Sequence, residues 1–439
     1  MSKSLDIRRS TLNRRHFMVG ASAAAAAPLA MSWPGMQAAA QESVTLTMWS
    51  WINGIDKQIA LFEAANPNIK VELTNPDALV EKLRTALRAG SGAPDVTQLE
   101  MHMLPTFDLI KGLEDLSAYG ASDLQPIFEE WVWSVVAPNG RVVGLPNDSG
   151  PIGMIHRSDV FERFDITPPA TWDEFAEAAI KLHEASPEHY LVDATFNDQT
   201  WTGGLLQQAG WRPFKIDGTT LEVRVNDEAA KKFARYWQTL LDAKAIDTAP
   251  GFNNEWYTAF DQGKYATWLV AAWGPLFLSQ FAANSAGKWR VAPIPQWDTA
   301  APRSGNMGGS SFSVTTQSNK KEAAAELVKF LSGNVEAAAM FAKEQFLFPV
   351  VTEVLNSPDF ASQTSEFYGG QAVNEVFIES STQIERGFQY SPFQDFVGAQ
   401  FESELAVAAA SGTSLEEAFD RMQANVVEYA SAQGFTVIS

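Results

Sequence analysis

The sequence predicts an α/β protein built as two lobes. Three observations carry that expectation. After residue 41, strands with period-2 alternation and helices with i, i+3, i+4 stripes follow one another. They fall into two blocks that meet near residue 150. About 400 residues remain beyond the leader described below, enough to bury two cores. No internal repeat or low-complexity tract interrupts the pattern.

The first block opens with Val44, Leu46 and Met48 alternating against Thr45, Thr47 and Trp49, which predicts a strand. Ile59, Ala60, Phe62 and Glu63 predict a helix ending at Asn66-Pro67, and 69–73 (IKVEL) a second strand. Strand, helix and strand in about 30 residues suggest a βαβ unit. Leu79, Val80, Leu83, Ala86 and Leu87 stripe the next helix, which should stop at Gly90-Ser-Gly92. Pro94-Asp95 leads into an apolar strand at 96–99, with Asp95 read as a cap on local backbone amides. A short strand at 141–145 ends at Pro146, followed by the polar tetrad Asn147, Asp148, Ser149 and Gly150.

The second block starts with the apolar run 152–155. Thr171-Trp-Asp-Glu174 has capping-box spacing, and Phe175, Ala178, Ala179 and Leu182 share one face of the helix it opens. Residues 227–241 form a helix with Ala230, Phe233, Trp237 and Leu240 inward. Residues 264–272 and 289–292 are strand-like, 296–309 reads as a Pro/Gly/Ser-rich linker, and 311–315 is a strand again. A helix at 319–331 turns on Ala323, Ala324, Leu327, Val328 and Leu331. The remainder is helical, with a second capping-box spacing at Ser414-Leu-Glu-Glu417.

Residues 1–40 read as a cleavable export signal and are excluded from fold reasoning. Asn13-Arg14-Arg15-His16-Phe17-Met18 is a twin-arginine pattern, an Ala-rich stretch follows, and Ala38-Ala39-Ala40 offers a cleavage site. A bilayer span needs about 20 strongly apolar residues; this stretch is shorter and broken by Pro28 and Pro34. Removing it, with its five basic and one acidic residue, takes the net charge from −20 to −24. That charge argues against nucleic acid and against an anionic membrane surface. The chain has no cysteine, which excludes disulfides, Cys-based metal sites and thiol nucleophiles.

The segment 142–182, VVGLPNDSGPIGMIHRSDVFERFDITPPATWDEFAEAAIKL, resembles the sugar-binding family of extracellular solute-binding proteins of ABC importers. In that family a Gly-x-Pro strand leads through a hinge, a strand opens the second lobe, and a Pro-x-Thr-Trp-x-Glu-Phe helix follows. Gly144 and Pro146, then Pro169, Thr171, Trp172, Glu174 and Phe175, match. His156-Arg157 stands where a Tyr-Asn pair is usual. The resemblance covers nearly all of the mature chain. It implies a two-lobe type II periplasmic binding protein fold with a hinge and an inter-lobe ligand cleft. Lobe one would comprise 41–149 and 300–345, lobe two 150–299 and 346–439. It also implies a monomeric periplasmic protein with no cofactor, which hands a sugar to membrane permease subunits.

Fourteen tryptophans sharpen the site. Ligands of open α/β sheets bind beyond the carboxyl ends of strands, where Trp49, Trp51 and Trp273 lie; Trp201 opens a helix and Trp268 precedes Trp273. Sugar C–H faces stack on indoles, and sugar hydroxyls seek carboxylates and amides. The family's stacking tryptophan corresponds to Trp273 in Ala272-Trp273-Gly274. Its polar residues after Pro-Asp correspond to Gln98 and Glu100. Asn147 and Asp148 lie at the expected hinge. Gly308, Gly309 and Ser310 precede the strand expected to return to lobe one, and Asn53 and Tyr390 complete the candidate set.

Polyamine binding is the alternative, since indoles and carboxylates also suit a polycation. An enzyme is the less favoured class. The sequence has no G-x-S-x-G elbow, no H-E-x-x-H, no P-loop and no dinucleotide fingerprint, and its five histidines lack metal spacing.

Overall fold

The computed structural model describes residues 43–137 and 140–439, and residues 43–439 form one compact unit. The export signal lies outside the described residues. Among the described residues, eleven strands run in chain order: β1 (Val44–Trp49), β2 (Ile69–Thr74), β3 (Val96–Glu100), β4 (Leu145–Pro146), β5 (Ile152–Arg157), β6 (Phe214–Asp217), β7 (Thr220–Val223), β8 (Thr267–Ala271), β9 (Trp289–Pro293), β10 (Ser310–Val314) and β11 (Thr436–Ile438). They make three sheets, ordered β2-β1-β3-β10-β4, β8-β5-β9 and β11-β7-β6.

In the first sheet β1 lies parallel to β2 and β3, with Val44 opposite Ile69 and Met48 opposite Val96. The helix Asp56–Ala65 connects β1 to β2 and buries Ile59 and Phe62. The helix Leu79–Ala89 stops at Gly90, whose φ of 76° is a left-handed cap that glycine adopts without a Cβ clash. β10 then enters antiparallel between β3 and β4, although it lies about 200 residues from β3 in sequence.

A core built on this sheet contains Leu46, Leu99, Phe107, Val132, Phe312 and Leu327. Two further cores pack on the other sheets. One gathers Phe175, Trp201, Trp237 and Phe419, the other Trp256, Trp268, Trp289 and Phe377. Val350, Val351 and Val354 join the first core, although the resemblance puts them in the second lobe. Burying each such side chain contributes about 1.5–3 kcal/mol.

Three passages of chain run side by side between the cores. Gly150 N donates to Asn306 Oδ1 at 2.8 Å, Met307 N donates to Gly150 O at 2.8 Å, and Ser149 N donates to Phe348 O at 3.2 Å. Isolated bridges pair Pro151 with Asn306 and Asp148 with Pro349. Only part of the 296–309 segment is an open loop: residues 298–303 are exposed, whereas Ser304, Asn306 and Met307 are buried in these passages. Its Pro/Gly/Ser composition serves close backbone approach. A Cβ on Gly305 would stand 1.9 Å from Gly204 O.

Other expectations shift as well. The strand at 141–145 shrinks to Leu145–Pro146, because only those residues pair in register with the backbone of β10. Asp95 caps no local amide. Its carboxylate accepts from Thr47 N at 2.9 Å, from Ser318 Oγ at 2.6 Å and from Lys320 Nζ at 3.3 Å, tying β1 to the chain after β10. Burial alone would raise its pKa, but these partners outweigh it and hold it below the usual value. The Thr171–Glu174 capping box is complete, whereas at Ser414 only the side-chain half forms.

Candidate functional site

The carboxyl ends of β1 and β3 and the start of β10 meet at one polar chain. Ser50 Oγ and Trp51 N both donate to Gln98 Oε1, at 2.7 and 3.2 Å. Gln98 Nε2 donates to Ser310 Oγ at 2.9 Å. Ser310 N and Oγ both donate to Asp148 Oδ1, the former at 2.9 Å. Gln98 is 0% exposed, so its amide is fully engaged within the protein. Gln98 and Ser310 thus position the strand ends and present no free group to a ligand, contrary to the sequence expectation.

Asp148 ends this chain at the crossing passages. Burial pushes its carboxyl up to about 6; the two bonds from Ser310 oppose that rise and the nearby Glu100 adds to it. Glu100 ends β3 and His102 lies just beyond it; the two pair, with Nδ1 3.0 Å from Oε2. Burial works to raise Glu100, yet the bond and charge of His102 bring it below the usual carboxylate value. The His102 ring stands 6.1 Å from Tyr390. Burial, with the Glu100 charge adding, pushes the Tyr390 hydroxyl up to about 12.

His102 and Tyr390 open onto a cavity. Gln199, Thr200 and Gln207 of the helix Gln199–Gln208 form one wall, with Gly203 and Gly204 leaving it low. Trp211, Phe388, Gln389 and Gln394 form another, and Asn306 and Gly308 the floor. Among the described residues, no Lys, Arg, Asp or Glu lines it. Contacts between the two sides lie close by: Gln394 N donates to Thr106 Oγ1 at 3.2 Å, and Arg84 pairs with Asp395.

Of the sequence candidates, Tyr390 and Gly308 line this cavity, and Glu100 touches its rim through His102. Gly309 has φ of 102°, and a Cβ there would stand 2.8 Å from Asp148 O, so it allows the passages to touch. Asn147 is buried, and neither atom of its amide has a partner. Trp49 and Trp51 pack half-buried against the first core, and Asn53 is exposed; none of the three lines the cavity. Trp273 is half-buried beside Gly308, its Nε1 donating to Met307 O at 3.1 Å. Trp201 and Trp268 are 4% and 5% exposed core residues whose edges, with Trp273, face a smaller compartment.

Sequence reasoning missed the amide wall of Gln199, Gln207, Gln389 and Gln394. Asp198, which caps the helix through the Thr200 amide at 2.8 Å, was the only local sign of it.

The architecture of parallel strand ends facing a cavity between separately cored halves is that of a two-lobe solute receptor. Residues 47–338 match the family model described as bacterial extracellular solute-binding protein, and the chain belongs to that family. It is 23% identical over 343 residues to an arabinooligosaccharide-binding protein of Halalkalibacterium halodurans, covering 75% of this chain and 74% of that one. It is 24% identical over 367 residues to a lactose-binding protein of Rhizobium radiobacter, covering 77% and 82%. Among solved structures, an ABC transporter associated binding protein from B. animalis subsp. lactis Bl-04, in complex with β-1,6-galactobiose, superposes with a TM-score of 0.78. It is 28% identical, with 91% of this chain and 100% of that one covered. The galacto-N-biose/lacto-N-biose I-binding protein of Bifidobacterium longum, in complex with lacto-N-biose, gives 0.77 at 25% identity, covering 90% and 99%. These relatives are binding proteins, and the fold is the type II periplasmic binding fold.

Proposed function

We propose that this chain is the exported sugar receptor of an ABC importer. It captures an uncharged mono- or oligosaccharide or polyol between its lobes and delivers it to membrane permease subunits. One observation carries the choice of ligand class: among the described residues, the cavity presents amides, hydroxyls and aromatic faces and no formal charge beyond the His102–Glu100 pair. Neutral amides both donate and accept, as sugar hydroxyls do. A polyamine would leave its ammonium groups without counter-charges in that cavity.

Lobe one takes 41–149 and a return through β10, and lobe two takes the rest, with its second entry after Val354. Tyr390, Gly308, Trp273 and the Glu100–His102 pair contact the ligand, while Asp148, Gln98 and Ser310 hold the strand ends in place. Closure is stabilised by contacts made only when both lobes grip the ligand. The chain performs no chemistry of its own, acts as a monomer, and reaches the periplasm by the twin-arginine route with cleavage near Ala40.

Thermal unfolding of the mature protein against mono- and disaccharides, polyols and polyamines tests this. Ligand at 100 times its dissociation constant adds about 2.7 kcal/mol. A rise in midpoint with a sugar or polyol supports the reading. A rise with polyamines alone replaces it.

A further inference from the structure

The chain around Trp273 carries no charge. From residue 265 to 287 it has no Lys, Arg, Asp or Glu, although charged residues make up 19% of the whole. Within that stretch β8 is core, but the helix Gly274–Phe281 reaches the surface. This helix sits hard against β8: Gly274 is buried, and a Cβ there would stand 2.4 Å from Val270 Cγ1. Pro275 and Leu278 are buried with it. The outward face carries Trp273, Phe277 and Gln280, spaced i, i+4 and i+7.

Phe277 is 48% exposed. Single exposed apolar side chains are ordinary on protein surfaces; the placement of this one sets it apart. Its ring stands 5.5 Å from that of Trp273, edge to face at 79°. Trp273 in turn lies beside Gly308, which lines the amide-walled cavity. Phe281, one turn further along the helix, is covered by Tyr257 at 4.5 Å. Among the described residues, Trp273 is the one aromatic ring beside Phe277. A surface helix ordinarily turns charged residues to water. This one turns out two aromatic rings and an amide, in continuity with the cleft. A pyranose unit has the matching build: C–H faces that lie on aromatic rings, and hydroxyls that both give bonds to an amide and take them. A cationic ligand would find no counter-charge on this face.

We propose that Phe277 and Gln280 form a second sugar subsite outside Trp273, and that the ligand is therefore an oligosaccharide. One unit lies against Trp273. The next lays its C–H face on Phe277, with the Gln280 amide bonding a hydroxyl. The subsite is an open shelf at the edge of the cleft, so it needs no enclosed space. The proposal rests on the sugar-receptor reading above.

Calorimetric titration of the mature protein tests it, with glucose, maltose and maltotriose, galactose and lactose, and xylose and xylobiose. In a series that binds, the chain is expected to bind about tenfold tighter than its single unit, through the added stacking and the amide bond. Phe277→Ala should weaken the chain by about three- to tenfold, the range of one aromatic contact, and leave the single unit unchanged. Phe277→Tyr, which keeps the ring, should keep most of the difference. The ring is exposed and alanine suits a helix, so Phe277→Ala should fold as the wild type does. A single unit that binds the wild type as tightly as its chain overturns the proposal and leaves the sugar reading standing. Phe277→Ala that weakens unit and chain by the same factor, or neither, overturns the role of Phe277. No heat from any of these sugars overturns both readings together.

Discussion

Gly150→Ala is a direct test of how the three passages between the lobes are packed. The backbone at Gly150 does not occupy the left-handed region, so alanine meets no conformational barrier there. The obstacle is space. A Cβ would stand 2.2 Å from Met307 O, 2.8 Å from Met307 C and 3.1 Å from Ala271 Cβ. Carbon atoms settle at about 3.5–4.0 Å from their neighbours, so the passages must part by about 1 Å. That movement strains two buried hydrogen bonds of 2.8 Å, Met307 N to Gly150 O and Gly150 N to Asn306 Oδ1. Overpacking costs about 1–3 kcal/mol, and each buried group left unpaired about 1–3 kcal/mol more. With one of the two bonds lost, the expected loss is about 2–6 kcal/mol. Gly203→Ala is the control: it lies inside the helix Gln199–Gln208 with nothing within 4 Å of a new Cβ. Glycine in a helix interior is worse than alanine by about 0.5–1 kcal/mol, so the control should gain that much. Urea unfolding of the two variants and the wild type reads both signs. Gly150→Ala within about 0.5 kcal/mol of the wild type, where neutral surface substitutions fall, would refute the packing argument.

Trp273→Ala should weaken sugar binding by on the order of 1–3 kcal/mol while the protein stays folded, as read by calorimetry and circular dichroism; unchanged affinity removes Trp273 from the site. Stability should also depend on pH through Asp193. Its folded pKa of about 7 lies above the usual carboxyl value of 3.8, so between those values the folded state binds more protons, and stability falls as pH rises through that window. The full difference amounts to roughly 4 kcal/mol. Asp193→Asn cannot ionise, so its stability relative to the wild type should grow from pH 5 to pH 8; a constant difference refutes the shift. His156, pushed down to about 4 by burial, acts in the opposite sense, losing stability as pH falls from about 6.5; comparing variant with wild type cancels that contribution. Arg14→Lys with Arg15→Lys should leave the protein in the cytoplasm, and its recovery from the periplasm would end the twin-arginine assignment.

Much of the fold was legible because its signals are local. The capping box at Thr171 and Glu174, the glycine stop at Gly90 and the alternation of β1 each depend on residues within one turn or one strand. The site was less legible. Gln98 stood where a ligand-binding residue was expected, yet its amide is taken up by Ser50, Trp51 and Ser310. Gln394 sits in an unremarkable stretch, yet it reaches both Gln199 and Thr106. The Pro/Gly/Ser-rich 296–309 segment has the composition of a linker, but its glycines serve contact with Gly204 and Asp148.

The sequence by itself determined the kinds of element, their order and the family, because helix and strand periodicity and capping act over a few residues. Tertiary structure decided which polar groups remain free to meet a ligand. That depends on partners such as Gln98 and Ser310, 212 positions apart, and on how three passages of backbone close against one another. No short window of sequence contains both sides of such a contact.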